Sequence, residues 1–439
     1  MKAGFAQFDV TPLEGFMPGE GLPFWAYAGT RCPLYANAVA FGGKETVILV
    51  SVDALSIFKD RADDLRARIS EKTGVPTTNI MIAATHTHTG ASGYEPNSGA
   101  PGEPLVAKYT DDGIVKVAVE AFQSMTDGFA IGTGKGIEDR MSFNRDCILD
   151  DGTIRSIPGK AAKDHIVGYL GEVDYDVHVM RVENADGKPA CFIVNYANHP
   201  DNDNKNRIKF SADFPGFLRQ NLQEIYGEDT VVLFFNGACG DVNAYNYKSG
   251  VSEAYAAKET YMPEEMGKLL TQTVLAINEG ITALDAAPDV KARAITQTYQ
   301  KRTPAKWETE AALATKAREE AGERLRGGER RVMDTVLSYD PATAPTTMEM
   351  ETVGVRIGDW TILTVPGELY TEIGLAMKAV VPERKILISE QTNGRYGYIP
   401  PDSVLGSTAY GGRYYAGELG YGAKDKMVAA AKVLMEKLG

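Results

Sequence analysis

The sequence predicts an α/β fold, with mixed β-sheets flanked by helices, and three observations carry that reading. Short apolar runs of strand length recur, at 46–52, 79–85, 190–197, 230–235, 360–365 and 385–389. Between them, apolar residues fall at helical spacing, as in Phe58, Ala62, Leu65 and Ile69, or in Ile373, Met377 and Val380. Several of the runs end in glycine- and polar-rich loops, where α/β proteins hold their ligands.

Residues 5–10 alternate like a strand and stop at Thr11-Pro12. Segment 13–31 is rich in Gly and Pro and reads as an ordered loop, in which Trp25 and Tyr27 either wall a pocket or pack on the body. Runs 36–41 and 46–52 flank Gly42-Gly43, a hairpin signal, and Asp53 closes the second. The helix through Leu65 stops at Gly74. A further helix is expected at 114–125, with Asp111 and Asp112 near its start. Gly132-Thr-Gly-Lys-Gly136 lacks the Gly-Lys-Ser/Thr ending of a phosphate loop and no helical pattern follows it, so it reads as a strand or turn. Alternation over 174–182 places His178 on a sheet surface. A helix through Leu218, Leu222 and Ile225 separates the runs 190–197 and 230–235. Segment 301–339 is rich in Glu, Arg, Lys and Ala, which predicts a helical excursion with a mostly solvated face, a lid or a contact in a homo-oligomer. The aromatic segment 409–421 precedes a final amphipathic helix at 425–438. No internal repeat is legible, and 1–439 reads as a single domain.

Composition narrows the function. At 439 residues, 44% hydrophobic and 24% charged, the chain has the make-up of a soluble globular protein with a large core. Its net charge of −13 argues against nucleic acid and anionic membranes as partners. No apolar run approaches the roughly 20 residues that span a bilayer. The N-terminus has no long apolar stretch of the secretory kind. The four cysteines form no Cys-x-x-Cys and read as free thiols of a reducing compartment, so the expected location is cytoplasmic.

Two of the five histidines lie in Thr85-His86-Thr87-His88-Thr89, at the end of run 79–85. In an extended chain, His86 and His88 would point to one face and Thr87 to the other. His-x-His alone fits a pair of hydrogen-bonded histidines as well as a metal site. Other strand ends add His199 and Glu368, with tyrosines near Pro400. Two imidazoles and a carboxylate suit a zinc ion with an open position, as catalytic zinc sites have. Spacing does not by itself make such distant residues converge.

Five ordered motifs, Ala84-Thr-His-Thr-His-Thr-Gly90, Ala197-Asn-His-Pro200, Gly240-Asp-Val242, Val365-Pro-Gly-Glu368 and Asn393 with Tyr398-Ile399, resemble those of the neutral (non-lysosomal) ceramidases. Asp9-Val-Thr-Pro12 and Leu34-Tyr-Ala36 also fit, and the likeness runs through most of the chain. The resemblance implies a neutral-ceramidase catalytic fold and one Zn²⁺ held by His86, His199, Glu368 and Tyr398. It implies too that His88 and Arg145 face the substrate as catalytic groups. Ceramidases carry a serine after Gly-Asp-Val, and here that residue is Asn243, which has no nucleophilic oxygen. The chain is also too short for the ceramidase C-terminal sandwich domain.

The resulting expectation is a zinc-dependent hydrolase acting on an amide, ester or lactone of a small polar substrate. Asn243, Asp241 and Asn236 are assigned to substrate binding, although Asp241 by itself reads rather as a carboxylate that supports the metal ligands or fixes its loop. Two other readings stand beside it. One is a zinc-dependent lyase or isomerase of a sugar or polyol. The other is a zinc-containing binding protein without catalysis.

Overall fold

The computed structural model describes residues 1–12, 29–90, 103–158, 160–203, 209–247 and 261–439. Trp25, Tyr27, the loop beyond Gly90 and residues 204–206 of the polar loop after His199 lie outside them.

Three four-stranded sheets form the body, and in each the strand order follows the chain order. In the first, Lys2–Asp9, Tyr35–Gly42 and Thr46–Val52 are antiparallel neighbours, and Ile80–Ala84 joins in parallel. The second has Ala130–Ile137, Asp176–Glu183 and Pro189–Tyr196 antiparallel, with Val231–Asn236 parallel to the last. The third repeats this with Val290–Gln300, Thr347–Ile357, Trp360–Thr364 and then Lys385–Ser389 in parallel. A parallel neighbour needs a crossover, and each sheet has its own helix for it: Lys59–Thr73, Asp213–Tyr226 and Thr371–Lys378. After each parallel strand comes another helix, Glu103–Gln123, Pro263–Glu279 or Ala423–Leu438, which leans on the first two strands of its sheet. The described residues thus contain three copies of one βββαβα unit, although the sequence shows no repeat.

Alternation along the strands explains how the units assemble. One face of each sheet enters a common core: Val39, Phe41, Val47 and Leu49 from the first, Met180, Val182, Ile193 and Leu233 from the second, Val353, Val355, Trp360 and Ile362 from the third. The intervening residues face outward under the two helices of their own unit, as Ala38, Ala40, Ile48 and Val50 do with Leu65, Ile69, Ile114 and Val117. The second and third units have corresponding clusters. Strands apolar on both faces are therefore covered on both faces, the condition that parallel pairing needs.

Some elements match expectation and others differ. The helix expected at 114–125 begins at Glu103, so Asp111 and Asp112 lie within it. There they receive Arg61 and Arg68 of the crossover helix, at 2.6 and 2.8 Å. The glycine segment is a strand, and a Cβ at Gly134 or Gly136 would stand 2.5 or 2.7 Å from Ile277. These glycines admit a helix, which gives the segment a reason unrelated to phosphate. His178 does lie on a face of the second sheet, and that face is buried against the third, with the imidazole edge-on to Trp360. The charged segment forms two helices, Lys306–Glu320 and Gly327–Leu337, inserted between the first two strands of the third sheet. Glu308 and Glu329 start them by accepting the backbone N–H of Ala305 and Arg326. All four cysteines are buried free thiols. Among the described residues, no helix is long and apolar enough to cross a membrane.

Candidate metal centre

The strand before His86 stops at Ala84, earlier than an extended His-Thr-His would require. His86 takes a left-handed backbone (φ 72°), a conformation that costs a residue with a Cβ about 1–3 kcal/mol and is found where surroundings over-determine it. The surroundings here are its neighbours. The Thr85 hydroxyl donates to Asp53 (3.2 Å), and those of Thr87 and Thr89 donate to the Ser211 carbonyl (2.7 and 3.0 Å). The His86 amide donates to Ala54 and that of His88 to Pro200. The threonines thus face the protein while both histidines face a common centre, by a turned route and not by strand alternation.

His199 arrives from the end of Pro189–Tyr196 in the second unit. Glu368 and Tyr398 arrive together from the third, because Glu368-Leu369 and Tyr398-Ile399 form a short parallel ladder in which Glu368 pairs directly with Tyr398. Close backbone approach tightens this corner: a Cβ on Gly240 would lie 2.6 Å from the Glu368 carbonyl oxygen.

Four donor atoms converge. His86 Nε2 and His199 Nε2 are 3.1 Å apart, and each is 3.5 Å from Glu368 Oε2. The Tyr398 hydroxyl is 3.4 Å from His199 Nε2. These separations match the edge of a tetrahedron whose centre lies 2.0–2.1 Å from its corners, roughly 3.3–3.4 Å, as zinc with nitrogen and oxygen ligands requires. The outer nitrogens settle which atoms face the centre. His86 Nδ1 donates to the Leu55 carbonyl (2.7 Å) and His199 Nδ1 to the Cys239 carbonyl (3.0 Å), so both Nε2 lone pairs point inward. Glu368 Oε2 is buried and accepts no hydrogen bond among the described residues. At these distances two imidazole Nε2 atoms and a carboxylate oxygen form a set that positive charge at the centre, a metal ion or a proton on His86, holds together.

Electrostatics agree. Burial pushes the His199 imidazole down to about 4, with Arg145 adding to the effect, so it is neutral. Burial opposes charge on His86 too, but Glu368 outweighs it and raises its pKa. Burial works against the Glu368 carboxylate, yet His86 and His199 hold its pKa well below the usual range. The centre therefore attracts positive charge. Burial pushes the Tyr398 phenol well above its ordinary pKa and Arg145 opposes this, as a bound cation would.

His88, His86 and His199 themselves form a cluster whose ligand atoms lie within 4.8 Å of one another. The His88 side chain is partly exposed, 4.0 Å from Asp201, and its ring is 5.0 Å from that of His86. Arg145 is buried against the Tyr398 ring (5.2 Å) and donates to the Gly240 carbonyl (2.6 Å). Asn243 donates to the Tyr247 hydroxyl and accepts from the Tyr245 amide.

Two substrate-binding expectations turn inward. Asp241 accepts from the amide and hydroxyl of Thr371 (2.8 and 2.9 Å) and from Asn144 (2.7 Å); it fixes the loop, and burial raises its pKa to about 6. Asn236 exchanges hydrogen bonds with the backbone of Asn198, which steadies the residue before His199. Sequence reasoning missed Glu390. It is fully buried, accepts from Cys239 and Leu369, and stands close enough to His86 to feel its charge. Its signal was available, since Glu390 follows run 385–389 as the other site residues follow theirs.

Fold and site together define a mixed α/β protein with a buried centre suited to a metal ion. Its likeness is to the neutral ceramidases. The crystal structure of neutral ceramidase from Pseudomonas aeruginosa shares the fold at TM-score 0.71 and 19% identity, over 99% of this chain and 74% of that one. A ceramidase complexed with C2 does so at TM-score 0.69 and 18% identity, over 99% and 75%. The chain has a divergent neutral-ceramidase-like fold. No family model and no curated protein matches its sequence.

Proposed function

We propose that the chain is a zinc-dependent hydrolase that delivers water to an amide, ester or lactone of a small polar substrate. The single observation behind it is the convergence of His86 Nε2, His199 Nε2, Glu368 Oε2 and the Tyr398 hydroxyl, at 3.1–3.5 Å, around a point that calls for a cation. A zinc ion held there supplies Lewis acidity, making an attacking water more acidic and polarising a carbonyl. His88, the more exposed histidine of the cluster, carries a proton to the leaving group or stabilises the oxyanion. Arg145 keeps positive charge beside Tyr398 and toward negative charge that develops on the substrate. Asn243 offers an amide to a carbonyl or hydroxyl but no acyl-enzyme route, so water is the nucleophile. A polar substrate suits the neighbourhood of His88, where Asp201 stands 4.0 Å away and an acyl chain would strip such groups of water at about 1–3 kcal/mol each.

The test starts with protein purified without added metal. Zinc content is measured, the metal is removed by chelation and restored, and amides, esters and lactones are screened in ¹⁸O water. The expected result is activity that disappears and returns with zinc, and one solvent oxygen in the product. Turnover without ¹⁸O incorporation would point to elimination or isomerisation, and zinc uptake without turnover to a binding protein. Activity unaffected by complete zinc removal would contradict the proposal.

A further inference from the structure

We propose that Glu390 is a positioning residue that sets the separation between His199 and Glu368, and thereby the affinity of the centre for its metal ion; this rests on the metal reading above. The two ligands come from different units, so something must hold their backbones in register. Glu390 stands at the crossing. Its Oε2 accepts from the amide of Leu369 (2.9 Å), the residue next to Glu368. The same oxygen accepts from the amide of Cys239 (3.1 Å), whose carbonyl receives His199 Nδ1–H. Its Oε1 accepts from the Cys239 thiol (2.9 Å). The two backbones also meet directly, since the Gly240 amide donates to the Leu369 carbonyl (2.8 Å). One fully buried carboxylate therefore ties the segment carrying one ligand to the carbonyl that orients the other. Such supporting groups typically change metal affinity by about 10–100-fold when removed.

Two substitutions in the full chain separate position from charge. Glu390→Gln keeps the side chain's length, and its amide oxygen can still accept both backbone N–H groups. Glu390→Asp keeps the carboxyl group but falls one methylene short. Zinc affinity is read by competition with a chelator, and ligand geometry by the visible absorption of the cobalt-substituted protein. Glu390→Gln should stay within about threefold of the parent with the same cobalt spectrum. Glu390→Asp should lose about 10–100-fold in affinity and shift the spectrum. An unchanged Glu390→Asp, or a tenfold loss in Glu390→Gln, would overturn the proposal, because charge or nothing would then be responsible. If Glu390→Asp does not fold, Glu390→Leu, which keeps the volume but accepts from neither amide, takes its place with the same loss expected and the same unchanged result overturning the proposal. A parent chain that takes up no zinc would instead overturn the metal reading, and this inference with it.

Discussion

His86 is where residue-level reasoning met its limit. Alternation predicted one face for His86 and His88, and both do reach the centre, but through a left-handed turn that only tertiary contacts dictate. The interleaved threonines were legible as residues and not as anchors, because their partners, Asp53 and Ser211, lie far away in sequence. The roles can be separated by substitution. His86→Ala and His199→Ala should lose the zinc found in the parent. His88→Ala should keep it, with kcat lower by roughly 10²–10⁴ if it is the proton carrier. Metal content measured on each variant alongside kcat checks this. His178 offers a stability test away from the centre. Burial, with Lys378 adding to it, pushes its pKa down to about 3, against about 6.5 unfolded. The unfolded chain thus takes up a proton that folded His178 refuses, so its contribution is intact above pH 6.5 and is lost as pH falls toward 3, by about 1.4 kcal/mol per unit. In His178→Gln, the loss of unfolding free energy from pH 7 to pH 5 should be about 2 kcal/mol smaller than in the parent, as read by urea titration.

Among the elements, strands and crossover helices were legible from period and length, and their ends carried the site residues. What spacing left open was the neighbourhood of those ends. Glu368 and Tyr398 are adjacent because a two-residue ladder pairs them, a contact with no local signature. Glycines mark such places only after the fold is known. At Gly240 an added methyl would collide with the Glu368 carbonyl at 2.6 Å, whereas at Gly168 it would meet nothing within 4 Å. Gly240→Ala should therefore weaken zinc binding at least tenfold in a chelator competition, because the backbones of 240 and 368 must part. Gly168→Ala should leave it unchanged.

At the scale of the molecule, the threefold use of one βββαβα unit was invisible in the sequence. What repeats is alternation and the order of connections, while the identities inside differ: Phe41 and Leu49 in one unit stand where Val182, Ile193 or Trp360 serve in the others. The site lies where the three units meet, drawing His86 from the first, His199 from the second, and Glu368 and Tyr398 from the third. Because the units share one core, they should be stable only together. Trp360→Ala, at a fully buried position of that core, should cost about 3–5 kcal/mol. Hydrogen exchange should then quicken in the central strands of all three sheets, and quickening confined to the third sheet would refute a shared core.

The central claim is that one metal ion joins the three units. A crystal of the protein purified without added metal, measured on both sides of the zinc absorption edge, tests it directly. The account predicts one anomalous peak about 2.0–2.2 Å from His86 Nε2, His199 Nε2, Glu368 Oε2 and the Tyr398 hydroxyl. A zinc peak held by other residues, or no peak there in crystals grown with zinc in excess, would contradict it.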